Sequence, residues 1–210
     1  GYKYYKFDDV KSSVLLTDDN TFTYDNNGNR ILQAFYTLLG GEMTLVEKDE
    51  FEYDSQNREI LHIFWEYSND SSSLVKSTKT ITSYLTNLIK TEEYSWNGSS
   101  QTWDLEAKTE IESKDGNMVK GSYYIKNEEN GEVVLSMIAE ASYNPDGTLK
   151  QTVIKAVDTE TGLMVEFMKS EMTYDSNGHE ILNVDSIFDS ESGTWFIMSQ
   201  TKSIYDSNVL

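Results

Sequence analysis

Cysteine is absent from this 210-residue chain, proline occurs once, and basic residues are outnumbered 36 to 17 by acidic ones. Without Cys there is neither a disulfide framework nor a thiolate metal centre. The net charge of −19, with a sequence pI near 4.3, repels phosphate backbones, and no stretch supplies the basic stripe that DNA or RNA binding requires. The same sign opposes an anionic membrane surface. No run of about 18 apolar residues is present to span a bilayer as a helix. Neither nucleic acid nor membrane insertion is therefore expected. The first residue is Gly rather than Met, which reads as a trimmed mature chain and gives the expectation of a secreted or cell-surface protein whose signal segment has been removed.

Apolar residues are also scarce, at 38%. Leu, Ile, Val and Phe together make about 23%, which stays above the level of roughly 20% below which charged chains tend to be disordered. The chain should fold, but around something thin.

What is present is a repeat. Thr23-Tyr24-Asp25-Asn26-Asn27-Gly28 returns as Thr173-Tyr174-Asp175-Ser176-Asn177-Gly178, with weaker copies between and after them. The markers fall at 24, 53, 84, 113, 143, 174 and 205, a period close to 30 residues. A second landmark is a large side chain, six loop-type residues and another large or apolar one. Trp96/Trp103 and Phe188/Trp195 are the clearest copies, and Phe7/Val14, Tyr36/Met43, Tyr67/Leu74, Lys126/Val133 and Val157/Met164 share the spacing. The second member always precedes the next marker by ten residues, whereas the return arm varies between 12 and 14.

Ten-residue arms that alternate read as strands. Trp103, Leu105, Ala107, Thr109 and Ile111 should face one way, with Asp104, Glu106, Lys108, Glu110 and Glu112 facing the other. Ten of the 12 glycines, and Pro145, lie in the connectors, where tight turns need positive φ or a preset bend. The expected fold is all-β, a long antiparallel meander of about 14 strands from seven hairpin repeats. It should form a single repeat domain over 1–210 and one twisted or coiled sheet, with a two-sheet sandwich or closed barrel as the alternative. The near-contiguous apolar stretches Ile60–Trp65 and Trp195–Met198 favour burial on both faces.

The Tyr-Asp pair followed by an x-x-Gly turn resembles the YD-type, Rhs-like β-hairpin repeats. The longer pattern of an aromatic, a six-residue polar loop, Trp, and a ten-residue arm to Thr-Tyr-Asp-Ser-Asn-Gly resembles uncharacterised exported repeat proteins of Bacteroidetes. The resemblance covers about 7–208 and implies an extracytoplasmic role without assigning a catalytic residue. The chain departs from the Rhs type in its longer period, and Tyr84-Leu85 and Ser113-Lys114 lack the Tyr-Asp pair.

Candidate sites follow from the aromatic surplus of 12%. Tyr94, Trp96 and Trp103 flank one hairpin loop, with Trp195 in the equivalent place near the other end, and flat rings among polar neighbours are what sugar faces stack on. The same rings could instead be cross-strand glue. Glu106, Glu110 and Glu112 read as a solvated face, and His62 and His179 as isolated imidazoles without a catalytic constellation. The Asp25–Asn29 and Asp175–Gly178 turns carry oxygens ahead of glycine as calcium loops do, but lack the Glu and helical frame of an EF-hand. The expected function is therefore a non-catalytic binding or adhesion module for a glycan or a surface protein, with no metal and no cofactor. A structural spacer is the alternative, and a carboxylate-using glycan hydrolase a lesser one.

Overall fold

The computed structural model describes residues 1–8 and 13–205. It contains fourteen antiparallel strands in one sheet: β1 (Tyr2–Asp8), β2 (Ser13–Tyr24), β3 (Arg30–Leu39), β4 (Glu42–Tyr53), β5 (Glu59–Ser68), β6 (Ser73–Leu85), β7 (Leu88–Asn97), β8 (Thr102–Lys114), β9 (Asn117–Lys126), β10 (Val133–Tyr143), β11 (Leu149–Val157), β12 (Met164–Tyr174), β13 (Glu180–Asp189) and β14 (Thr194–Lys202). Their order in the sheet is their order in the chain, and the sheet does not close into a barrel. The single-sheet expectation therefore holds over the sandwich and the barrel. Contacts divide the chain into two compact units, one of 1–83 with 91–107, the other of 84–90 with 108–210. The turn expected after Tyr205 lies outside the described residues.

The hairpin landmark is a register mark. Phe7 pairs with Val14, Tyr67 with Leu74, Lys126 with Val133, Val157 with Met164 and Phe188 with Trp195. One pairing differs from the sequence reading: Met43 faces Leu38, not Tyr36, because the Gly40-Gly41 turn is only two residues long and both glycines have positive φ. With Leu38 in place, the return arm from each of Tyr24, Tyr53, Tyr143 and Tyr174 is 14 residues in every case. The shorter arms follow Tyr84 and Ser113, whose markers have neither Tyr-Asp nor the Tyr-Asn of Tyr143-Asn144. There the strands join through the two-residue turns Thr86-Asn87 and Asp115-Gly116, with positive φ at Asn87, Asp115 and Gly116.

The Tyr-Asp turn earns both of its residues. Asp25 Oδ1 accepts from the backbone N–H groups of Asn27 and Asn29, both at 2.8 Å, and its Oδ2 accepts from Asn29 Nδ2. Asp54 repeats this with Gln56 and Arg58, and Asp175 with Asn177 and His179. Tyr serves the neighbour instead: Tyr53 donates its hydroxyl to the Arg30 carbonyl of the preceding hairpin (3.0 Å), Tyr143 to that of Met118 (2.8 Å), and Tyr205 stacks on His179 at 4.7 Å. One residue closes the turn, and the other ties it to the turn before.

A second regularity was not anticipated. Where β2, β4, β6, β10, β12 and β14 pair with the strand before them, each skips one residue three places after the landmark: Thr17, Val46, Ser77, Ser136, Phe167 and Met198. Such a bulge resets the alternation and adds local twist. The solvated face expected at Glu106, Glu110 and Glu112 holds only in part: Glu106 and Glu110 are half-buried, and only Glu112 of the three is exposed. Glu110 binds Lys90 (3.2 Å) and Lys108 (3.3 Å), Ser95 donates to Glu106 (2.6 Å), and Glu112 pairs with Lys120. Although burial alone would raise the Glu110 carboxyl, the two lysines outweigh it and hold the group below its ordinary range.

The core is thin, as low apolar content requires. Among the described residues the buried apolar ones are Ala34, Phe51 and Ala107, and no large side chain is wholly enclosed. Ile60–Trp65 is half-buried throughout. The corresponding expectation for Trp195–Met198 fails, because β14 ends the sheet and leaves Phe196, Ile197 and Met198 exposed.

Candidate functional site

Cross-strand pairing decides which aromatics meet. Lys48 on β4 faces Trp65 on β5, which faces Lys76 on β6, so these three share one face of the first unit. Lys79 pairs with Ile63, two residues from Trp65, and so lies on that face too. Lys76 and Lys79 are three apart, an odd spacing that would put them on opposite faces of a regular strand; the Ser77 bulge between them restores a common side.

The result is an alternating row of ammonium groups and rings. Lys48 Nζ lies 4.0 Å from the Trp65 ring centre, and Lys76 Nζ lies 5.5 Å from Trp65, 4.6 Å from Trp96 and 5.8 Å from Trp103. Lys79 Nζ lies 4.0 Å from Tyr94 and 5.1 Å from Trp103. Trp96 and Trp103 meet edge to face at 5.1 Å and 68°. Lys48 bridges to Glu50 at 3.1 Å, and Trp65 Nε1 donates to the same carboxylate at 2.9 Å. Burial pulls the Lys79 ammonium below its ordinary pKa, partly countered by Glu92, and burial pushes the Tyr94 phenol up, helped by its hydrogen bond to Glu92 at 2.9 Å. Each such cation over a ring contributes on the order of 0.5–1 kcal/mol where solvent reaches it.

Three of the four residues singled out from sequence, Tyr94, Trp96 and Trp103, are therefore brought together. Trp195 is not among them; it lies in the second unit, 5.2 Å from Phe188, with Lys169 Nζ 5.0 Å from its ring. Sequence reasoning missed Trp65, Lys48, Lys76 and Lys79. The signal was available: an aromatic two residues before the landmark recurs as Tyr5, Tyr36, Trp65, Tyr94 and Tyr124. Opposite it stand Leu16, Leu45, Lys76 and Leu135 for Tyr5, Tyr36, Trp65 and Tyr124.

The reverse face of the same strands carries a different set. His62 stacks on Phe51 at 4.6 Å and 6°, and its Nε2 lies 2.7 Å from Asp49 Oδ1. The Arg30 guanidinium also lies over the Phe51 ring, 4.7 Å from its centre. His62 is thus packed and tethered rather than poised beside a nucleophile. Thr78 and Thr80, opposite Phe64 and His62, open onto a shallow depression of about 250 Å³ with Glu93, Ser95 and Glu106. His179 sits in its turn, its Nδ1 3.1 Å from Asp175. Among the described residues no three His, Asp or Glu side chains are arranged to hold a metal ion. In the turns that resembled calcium loops, Oδ1 of Asp25 and of Asp175 accepts backbone amides, while Oδ2 meets the side chains of Asn29 and His179.

No protein-family model matches the sequence, nor does any curated protein. Solved structures with a similar chain course include a protein of unknown function from Bacteroides fragilis, 15% identical with a TM-score of 0.48, covering 62% of this chain and 94% of its own. Two DUF3836 family proteins also match. The one from Bacteroides vulgatus is 17% identical with a TM-score of 0.36 over 42% of this chain and 90% of its own, and the one from Parabacteroides distasonis is 15% identical with a TM-score of 0.34 over 55% and 95%.

Proposed function

We propose that the protein is a non-catalytic binding module, exported to the cell surface or beyond, and that the tryptophan face of its first unit contacts a glycan. The observation that carries this reading is the convergence of Trp65, Trp96 and Trp103 with Lys76 and Lys79 on one face of a sheet that is otherwise strongly acidic. Rings offer apolar faces to sugar C–H groups, and ammonium groups supply charge-assisted hydrogen bonds to carboxylates, so the chemistry favours a polysaccharide that carries uronic acids over a neutral one. The resemblance to YD-type repeats supports the exported location.

Tryptophan fluorescence titrated with alginate or polygalacturonate, and with a neutral glucan as comparison, tests this. Saturable change with the acidic polymers, lost in Trp96→Ala and weakened in Lys76→Met while both variants keep the wild-type circular dichroism spectrum, is expected. No change with any polymer, or equal response in the variants, sinks the glycan reading and leaves the row of rings as internal cement.

A further inference from the structure

The two strands that end the sheet are of opposite kind. Even-numbered strands run from the hairpin landmark to a marker, and each of β2, β4, β6, β8, β10 and β12 pairs on its far side with the odd-numbered strand that follows. β14 is an even strand whose following partner is missing among the described residues, and β1 is an odd strand whose preceding partner is missing. Each therefore presents the edge that the other kind of strand covers everywhere else in the sheet.

Composition at these edges supports mutual pairing. Of the chain's 36 acidic residues, β1 carries only Asp8, at its end, and residues 194–205 carry none. Edge strands usually carry charge that discourages further pairing. Here the charge is limited to Lys3, Lys6 and Asp8 on β1 and Lys202 on β14, and beside it lies exposed apolar surface: Tyr4 and Tyr5 at 59% each on β1, and Ile197 and Met198 at 68% and 62% on β14.

We propose that β14 of one molecule pairs antiparallel with β1 of a second copy, continuing the sheet head to tail. The internal repeats fix the register. Across the three Tyr-Asp hairpins and the Tyr143-Asn144 one, the residue four before the marker faces the residue three before the landmark: Asn20 with Phe35, Asp49 with Phe64, Ala139 with Ile154 and Ser170 with Asp185. The same rule sets Thr201, four before Tyr205, opposite Tyr4, three before Phe7. It also sets Lys202 opposite Lys3, whose ammonium is already held by Asp19 at 3.0 Å. Because the two edges differ, the contact is heterologous, and it propagates unless a ring closes it.

The chain has no Cys, so single-cysteine variants report cleanly. Thr201→Cys and Tyr4→Cys proteins, mixed under mild oxidation, should form the mixed disulfide at least about tenfold faster than Thr201→Cys mixed with Gln56→Cys, a control in an exposed turn, because pairing raises the effective concentration. Wild-type protein should show concentration-dependent association in sedimentation velocity. Wild-type protein that stays monomeric at every concentration, equal rates for the two mixtures, or preferential Thr201→Cys homodimers overturns the proposal. Glycan binding by the tryptophan face is read separately and fails or succeeds on its own.

Discussion

The β7/β8 hairpin and the β13/β14 hairpin carry the same landmark, Trp96/Trp103 in one and Phe188/Trp195 in the other, with ring pairs of nearly equal spacing, 5.1 and 5.2 Å. Their surroundings differ. The first has β6 beside it, which lays Lys76 and Lys79 across its rings, and Tyr94 completes the row. The second has Ser186 where the first has Tyr94, one lysine near its tryptophan, and β14 at the edge of the sheet. The same landmark thus lies in a half-buried mixed cluster in one place and, Trp195 apart, on an exposed strand in the other. In a single-layer sheet, the neighbouring strand is the only available second wall.

The strongest way to break this comparison is truncation of the equivalent tryptophans. Both rings are half-buried, so both costs fall below the range for fully buried rings. Trp103→Ala, which loses two lysines and Trp96, is expected to cost about 2–3 kcal/mol, and Trp195→Ala, which loses one lysine and Phe188 at the sheet edge, about 1 kcal/mol. Urea unfolding measures both, and equal costs would show that adjacency to β6 adds nothing. Lys76→Met keeps the aliphatic stem and removes the charge, so a smaller loss of about 0.5–1 kcal/mol is expected, with a lesser one for Lys169→Met, which lies near one ring rather than three. A gain in stability for Lys76→Met would mean that desolvating the ammonium outweighs its attraction to the rings.

The mildest test is acid. Backbone N–H donation from His179, seconded by its side chain, holds the Asp175 carboxyl below its ordinary value of 3.8, and hydrogen bonding from Arg58 does the same for Asp54. A depressed folded-state pKa contributes stability that is complete above the unfolded value and is lost as pH falls through the folded one. The turn leading into β13 should therefore loosen below about pH 4, whereas the Thr86-Asn87 turn leading into β7 has no carboxylate to protonate. Hydrogen exchange between pH 5 and pH 2.5 should show protection lost first at Asn177 and His179, relative to Leu88 and Ile89. Uniform loss would indicate that global unfolding precedes any turn.

Much of the fold was legible because turns and arms carry separate chemical signatures. Tyr24-Asp25 and Tyr174-Asp175 mark turns through an aspartate that accepts backbone amides, and the ten-residue arms carry no proline and almost no glycine. The error at Tyr36 arose because a fixed six-residue loop was imposed on a connector whose Gly40-Gly41 pair closes in two residues. The bulges at Thr17, Val46, Ser77 and their counterparts were illegible, since those residues share no side-chain type; only the ladder shows which residue has no partner. The candidate site suffered most from this. Lys76 and Lys79 are out of phase in the sequence, three residues apart, and only the bulge places both over the rings of Trp96, Trp103 and Tyr94.

The sequence by itself determined the strand count, the meander and the turn positions, because each depends on residues close together in the chain. Tertiary structure decided which side chains share a face, which aromatics gain a lysine and which strand is left at the edge. Those outcomes depend on register between strands, where a single unpaired residue reverses the side to which every following side chain points.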